Sequence, residues 1–297
     1  MSTLLTLKRH LLDYLNSSAK RSSGRLPVRL ELSYRTAYAY APAVRGGVTA
    51  LRLRPTSHPN LVVLAAHLAV SPGRVATSYT DAWGSAVDLV ETGGTHADAT
   101  FEITAQVETY PHNRDLLLRP YEAYAYSNDS ARVRVDAIEA LGWNVGGEGA
   151  SWDAVESALR WLPQRFQFQV GATDATTEIE DVIEHGVGVC QDFAHVFLAL
   201  LRRGGWCARY VSGYMFSSLD DIERIEAAAM HAWVEVYRPG TGWIGLDATA
   251  GEHVDDRYVA VGKGRDYDDV RPIRGVFLGK TLQTQTAHLS MVRSLQQ

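Results

Sequence analysis

Gly186-Val187-Gly188-Val189-Cys190-Gln191-Asp192-Phe193-Ala194-His195 opens the most informative stretch of this 297-residue chain. Two glycines loosen the backbone, a cysteine follows, and apolar residues then recur at helical spacing: Phe193, Phe197, Leu200 and Leu201. Gly204-Gly205 stops the run. The pattern predicts a helix with Cys190 in or just before its first turn. A sulfur there faces N–H groups with no partner inside the helix and the positive end of the helix dipole, which favours a nucleophilic thiolate. The competing reading is a core cysteine, since free Cys is among the most buried residue types. Gln191 is placed to donate a hydrogen bond near an oxyanion, although the Cys190 N–H serves that role more directly. Asp192 either binds a substrate amine or is simply an acidic residue favoured in a first helical turn. His195, five residues beyond Cys190, does not share its face and reads as structural.

Downstream of this helix the apolar period falls to two. Ala208–Phe216, His231–Tyr237, Trp243–Asp247, Tyr258–Val261 and Ile273–Leu278 read as strands, followed by a last run over Thr281–Val292. A helix followed by sequential strands predicts an α+β domain, with the helix packed on an antiparallel sheet. Within it, Arg238-Pro239-Gly240-Thr241-Gly242 is a turn signal. It joins Met230-His231-Ala232-Trp233-Val234-Glu235-Val236-Tyr237 to Trp243-Ile244-Gly245-Leu246-Asp247 as a hairpin. His231 and Asp247 are nearly equidistant from the turn, so they fall directly or diagonally opposite each other, within side-chain reach. A cysteine, a histidine and a carboxylate are what thiol catalysis of acyl transfer requires. The imidazole takes the thiol proton and later protonates the leaving amine, and the carboxylate holds the imidazole in the right tautomer. Two other readings stay open: a structural His–Asp pair, and a metal site. The spacings of 41 and 16 residues match no short zinc signature. Trp233 and Trp243 either wall a substrate cleft or pack.

Upstream, Val28 to Tyr110 also alternates with period two. Val28, Leu30, Leu32, Tyr34, Thr36, Tyr38 and Tyr40 lie on one face. Further strands are expected at Thr49–Arg54, Leu61–Val70, Arg74–Tyr79, Ala86–Thr92 and Ala99–Thr109. The separating turn signals include Arg45-Gly46-Gly47 and Gly93-Gly94, which suggests an antiparallel sandwich or barrel. His58, His67, His96 and His112 read as surface or satisfied histidines. Residues 111–150 change character, with short helices expected at Arg114–Pro120 and Ala131–Leu141 and a glycine-rich connection after them. Ser151 caps a helix that Pro163 ends. The division expected is therefore an N-terminal helix and linker (1–26), a β-rich domain (27–110), a helical connection (111–150) and a catalytic domain (151–297).

Composition narrows the functional classes. A net charge of −5 gives no basic footprint for nucleic acid. The best apolar run, Leu61–Val70, is too short to span a bilayer. Two cysteines are too few for a disulfide scaffold, which fits a reducing compartment and a cytoplasmic location. The N-terminal leucines among Lys8, Arg9, His10 and Asp13 form an amphipathic pattern without a signal-peptide core. Asp220, Asp221, Glu223 and Glu226 have no calcium-loop spacing and read as a solvated loop. Asp266, Asp268 and Asp269 with Arg265 and Arg271 form either a substrate rim or a surface ion-pair cluster.

The three segments around Cys190, His231 and Asp247, in that order, resemble the core motifs of the transglutaminase-like superfamily. More narrowly, the chain is similar to its bacterial transglutaminase-like cysteine peptidases, which carry a β-rich N-terminal region. Gly171-Ala172-Thr173-Asp174 and Gly264-Arg265-Asp266-Tyr267-Asp268-Asp269-Val270 also look like that branch. The resemblance covers roughly Pro27 to Leu282. It implies a papain-like catalytic domain with a Cys190-His231-Asp247 triad and an acyl-thioester on Cys190. Water would release the acyl group (peptidase or amidase), or an amine acceptor would (transamidation). The substrate would be a peptide or protein amide, with no metal and no cofactor. Family members often carry Asp-Pro-Thr-Asn after the hairpin, where this chain has Asp247-Ala248-Thr249-Ala250 and so lacks one loop-ordering side chain. The alternatives are a non-catalytic binding protein that keeps the fold and an amide synthase of a biosynthetic cluster.

Overall fold

The computed structural model describes residues 27–110, 115–142, 151–216 and 230–294. The expected N-terminal helix and the acidic segment with Asp220, Asp221, Glu223 and Glu226 lie outside these residues, as do His112 and most of the glycine-rich connection.

Two long strands, β1 (Val28–Leu51) and β4 (Ala86–Thr109), pair antiparallel along most of their length. Between them, β2 (Leu61–Ser71) and β3 (Arg74–Thr80) also pair with β4. The period-two pattern of β1 becomes a face: Leu30, Leu32, Tyr34, Thr36 and Tyr38 are buried, and the residues between them are not. Arg45-Gly46-Gly47 and Gly93-Gly94, expected to be turns, lie inside strands. The β1–β4 register slips between Arg45 and Gly47, and Gly46 and Gly94 take φ values of +57° and +66°. A left-handed glycine fits a bulge as well as a turn, so the strands carry on through these positions.

The connecting segment holds less helix than its sequence suggests. α1 (Pro120–Ala125) begins at its proline rather than ending there, because the residue before a proline avoids helical backbone. Of Ala131–Leu141 only Ala137–Leu141 winds, as a 3₁₀ turn. Backbone N–H groups just before it are taken elsewhere: Arg132 donates to Asp266 and Val135 to Asp129. α2 (Trp152–Arg165) runs past Pro163, and Ser151 makes no side-chain cap bond to it. Then come β5 (Gln167–Phe168), α3 (Ile179–His185), β6 (Val187–Gly188) and α4 (Cys190–Arg203). Gly186 ends α3 in the left-handed conformation, at φ +70°.

The second sheet is β7 (Ala208–Met215), β8 (His231–Arg238), β9 (Gly242–Asp247), β10 (Glu252–His253) and β11 (Tyr258–Gly264). Its spatial order is β10-β9-β8-β7-β11. A short α5 (Tyr267–Val270) follows. The chain then returns to the first sheet, where β12 (Ile273–Leu278) and β13 (Leu282–Ser294) both pair with β1. The end of the 151–297 segment is thereby hydrogen-bonded into the strands of the 27–110 segment.

α4 is buried on every side, from Asp192 through Arg202. One face meets Ala232, Val234, Val236 and Leu246 of the second sheet, and α2 and α3 cover others. Each fully buried Phe or Leu of this helix contributes on the order of 1.5–3 kcal/mol. The far face of the second sheet supplies Tyr214, Val259 and Val261 to a core shared with Leu30, Leu32, Tyr34 and Ile103 of the first sheet. The architecture is α+β: outer helices, α4, the second sheet and the first sheet, in layers.

Candidate active site

Cys190 is the first residue of α4, so its N–H has no partner within the helix. It is half-buried and not in a disulfide. Asp192 fixes the start of the helix. Its carboxylate accepts the Val189 N–H at 2.8 Å and the Thr173 hydroxyl at 2.6 Å. Gly188 makes room for this, since a Cβ there would sit 2.8 Å from that of Asp192. Asp192 is only 2% exposed, and burial pushes its carboxyl up despite the Thr173 and Val189 bonds. Of the two readings open to it in the sequence, the structure shows the first-turn one: Asp192 turns inward and caps the helix that carries Cys190.

The hairpin delivers the other two residues. Val234 pairs with Leu246, so one step further Asp247 lies beside Trp233 and diagonally from His231. His231 Nε2 and Asp247 Oδ2 are 2.7 Å apart. The Cys190 sulfur acts on the same ring, and with Nε2 occupied by Asp247, Nδ1 is the nitrogen left to take its proton. Burial pushes the imidazole down, but the bonds and charges of Asp247 and Cys190 outweigh it and hold its pKa up to about 10. Burial pushes the Asp247 carboxyl up, yet His231, Tyr258 and the Thr249 N–H together hold it below the usual range.

Asp247 is 1% exposed and fully engaged. Oδ2 also accepts the Tyr258 hydroxyl at 2.8 Å, and Oδ1 accepts the N–H groups of Thr249 at 2.9 Å and Ala250 at 3.3 Å. The carboxylate itself thus orders the loop that lacks the family's usual side chain. Neither Tyr258 nor Thr173 announces its hydrogen-bonding role in the sequence. Tyr258 stands in an expected strand, but its reach to Asp247 depends on how β11 lies across the sheet. Gly213, level with His231, is equally silent in sequence; a Cβ there would come 2.2 Å from the Val259 carbonyl and 2.6 Å from the Trp233 ring.

Gln191, next to Cys190 in sequence, keeps spare capacity. Its amide nitrogen is shielded from solvent and has no hydrogen-bond partner. Trp233 does not wall an open cleft: it is 1% exposed, with its ring stacked 6.3 Å from His231 and edge-on to Tyr258 at 5.3 Å. Trp243 sits at the other end of β9. Its ring lies 3.8 Å beneath the Arg209 guanidinium, and its N–H donates to the Leu117 carbonyl. Arg209 in turn pairs with buried Glu235 at 2.6 Å, with Lys263 3.5 Å from the same carboxylate oxygen. His58 lies beside this cluster and is not a surface histidine. Both ring nitrogens are shielded from solvent, and burial pushes it down to about 3 against the opposing pull of Glu235 and Asn60. His195 is buried and accepts the Tyr267 N–H at 3.2 Å. Asp266, Asp268 and Asp269 are spent on capping and on pairs with Arg132, Arg265 and Arg271. Among the described residues no three His, Cys, Asp or Glu side chains are disposed to hold a metal ion, and no helix is long and apolar enough to cross a membrane.

Two family models match in tandem: the bacterial transglutaminase-like N-terminal region over residues 30–108 and the transglutaminase-like superfamily core over residues 140–248. The chain belongs to the transglutaminase-like superfamily. An uncharacterized protein of Mycobacterium leprae is 28% identical over 273 residues, 85% of this chain and 94% of that protein. One of Mycobacterium tuberculosis is 42% identical over 119 residues, 37% of each chain. The crystal structure of a candidate cysteine protease from Cytophaga hutchinsonii superposes with a TM-score of 0.74 at 20% identity, over 92% of this chain and 93% of that one. That structure shares the fold, with a large antiparallel sheet beside a transglutaminase-like domain.

Proposed function

We propose that this protein is a thiol hydrolase of amide bonds, a peptidase or amidase. Cys190 is the nucleophile, His231 the general base and acid, and Asp247 the group that orients His231. The observation that carries the reading is the 2.7 Å bond from His231 Nε2 to a buried carboxylate, in a ring whose proton the sulfur at a helix N-terminus also helps to hold.

His231 takes up the thiol proton. The sulfur attacks the amide carbonyl, and the carbonyl oxygen takes up the electron pair as an oxyanion. The Cys190 N–H faces that oxygen, and the Gln191 amide supplies the second donor. As the tetrahedral centre collapses, the C–N bond breaks and His231 gives its proton to the departing amine. An acyl-thioester remains on Cys190. Water then attacks, giving a proton to His231, and the C–S bond breaks to release the acid and restore the ion pair. Were an amine to arrive in place of water, the same steps would make a new amide.

The test is intact-mass analysis after mixing the protein with a library of fluorogenic peptide amides. The expected result is a mass increase on Cys190, shortened in lifetime by added free amine only if amines compete with water. Cys190→Ala should abolish both adduct and fluorescence release, and turnover unchanged in that variant would refute the mechanism.

A further inference from the structure

β13 is the one long, regular edge strand among the described residues. It pairs only with β1, and its 13 residues hold an unbroken register from Arg29–Ser294 to Ala41–Leu282. The opposite edge of the same sheet is interrupted twice, by register shifts between Val63 and Ala65 in β2 and between Val75 and Thr77 in β3. β12 has six residues, and its pairing with β1 slips between Arg45 and Val48. Elsewhere β5, β6 and β10 have two residues each, and β11 slips between Ala260 and Gly262. Short strands and bulges are how native sheets keep their edges from pairing, together with proline and lysine. β13 has none of these. Its single fixed charge, Arg293, lies 3.9 Å from Asp256 of its own chain.

The edge is also self-complementary. Ala287, Leu289 and Met291 lie level with Thr36, Tyr34 and Leu32 and pack against the core between the sheets, yet they stay only partly buried. His288, Ser290 and Val292 are exposed on the other face. A two-fold axis through the sheet at Leu289 sets Leu289 opposite its copy and Ala287 opposite the partner's Met291, so the apolar strip continues across the junction. In this register His288 meets the partner's Ser290, Thr286 the partner's Val292 and Arg293 the partner's Gln285, and no like charges oppose each other. An axis at His288 instead sets two imidazoles against one another and Met291 against a glutamine, so the apolar pattern selects the first register. The chain's own N-terminal leucines recur at helical rather than alternating spacing, which makes that segment a poor added strand.

We propose that β13 is a dimerisation edge, pairing antiparallel with β13 of a second copy across a two-fold axis at Leu289 and joining two first sheets into one. The overlap over 284–294 is about 37 Å long and one sheet, about 10 Å, thick, so it covers roughly 370 Å² per copy. A standard interface covers about 800 Å² per partner, so this dimer is weak and concentration-dependent.

The test is sedimentation velocity on the full-length protein from about 1 to 300 µM, a range suited to a weak dimer. The mass-average should climb from 32.7 kDa toward twice that value. His288→Lys/Ser290→Lys sets lysine against lysine at two places in this register and should weaken association at least about tenfold. His288→Lys/Ser290→Glu sets lysine against glutamate at the same two places and should restore it to about the wild-type level. Both positions are exposed, so unchanged urea midpoints would show that the variants fold. A wild-type protein that stays monomeric throughout overturns the proposal. So does association that survives the double lysine variant, or that the lysine–glutamate variant fails to restore.

Discussion

Asp247→Asn distinguishes a carboxylate that orients His231 from one that merely fills space. The carboxamide occupies nearly the same volume in a site where Asp247 is 1% exposed, so packing is preserved. Charge and donor geometry are not. Four donors converge on Asp247: His231 Nε2, the Tyr258 hydroxyl, and the N–H groups of Thr249 and Ala250. An asparagine whose oxygen stays with the two backbone N–H groups turns its NH₂ toward His231 Nε2. The ring must then carry its proton on Nδ1, the nitrogen needed to accept the thiol proton. The gap between the ordinary value of 6.5 and about 10 for His231 corresponds to roughly 5 kcal/mol of preference for the imidazolium. A charge-assisted bond contributes about 1.5–3 kcal/mol of such a preference. With the tautomer also wrong, kcat/KM should fall on the order of 10²- to 10⁴-fold. The assay is the rate of Cys190 alkylation by iodoacetamide as a function of pH. In the wild type the imidazolium persists until the pH approaches about 10. In the variant it deprotonates earlier, so that limb of the profile moves toward neutrality. A profile and rate within twofold of wild type would falsify the orienting role.

Other perturbations test the supports of the site. Tyr258→Phe removes one donor to Asp247 and should cost about 1 kcal/mol in urea unfolding, with turnover reduced less than in Asp247→Asn. Asp192→Ala loses the bonds to Val189 and Thr173, so stability should fall by about 1–2 kcal/mol, with slower alkylation of Cys190. Glu235→Gln leaves Arg209 and Lys263 buried without their carboxylate and should cost about 3–5 kcal/mol by chemical denaturation. The pH dependence of stability has a defined sign. His231 is raised on folding, so its contribution is complete below 6.5 and is lost as the pH climbs through about 10. Denaturation midpoints measured across that window should decline in the wild type and decline less in His231→Gln.

Much of the site is legible in the sequence because it rests on local rules. Helical spacing after a glycine-flanked cysteine sets Cys190 at a helix start, and counting outward from one turn sets His231 near Asp247. The longer reaches are not legible this way. Tyr258 finds Asp247 only once β11 has paired with β7, two strands from β9. Asp192 carries the same signal whether it caps inward or faces a ligand. Trp233 and Trp243 share a strand face with the site residues, yet burial of the Arg209–Glu235 pair draws Trp243 into a separate cluster. The two glycine-rich bends misread as turns show the same limit. Left-handed glycine is compatible with a hairpin and with a bulge, and the ladder on both sides decides between them. Thr281–Val292 alternates as a strand should, but alternation names no partner, and its pairing with β1 lies some 250 positions away in sequence.

That return changes what the N-terminal half is for. Tyr214, on the strand next to His231, packs 5.4 Å from Tyr34 and donates to the Leu53 carbonyl at 2.8 Å. Thr109 donates to the Asp256 carbonyl at 3.0 Å, two residues before the tyrosine that holds Asp247. Val259 and Val261 lie in the same shared core. The second sheet therefore has α4 on one face and the first sheet on the other, and the strand that carries Tyr258 is seated against both. Cutting the chain at residue 150 would uncover Tyr214, Val259 and Val261 together and leave β12 and β13 without β1. The Cys190 helix could still pack on β8. Tyr258, however, would lose the seat that aims its hydroxyl, and Asp247 would then hold His231 with one support fewer. The first sheet is thus part of the scaffold that fixes the geometry around the thiol.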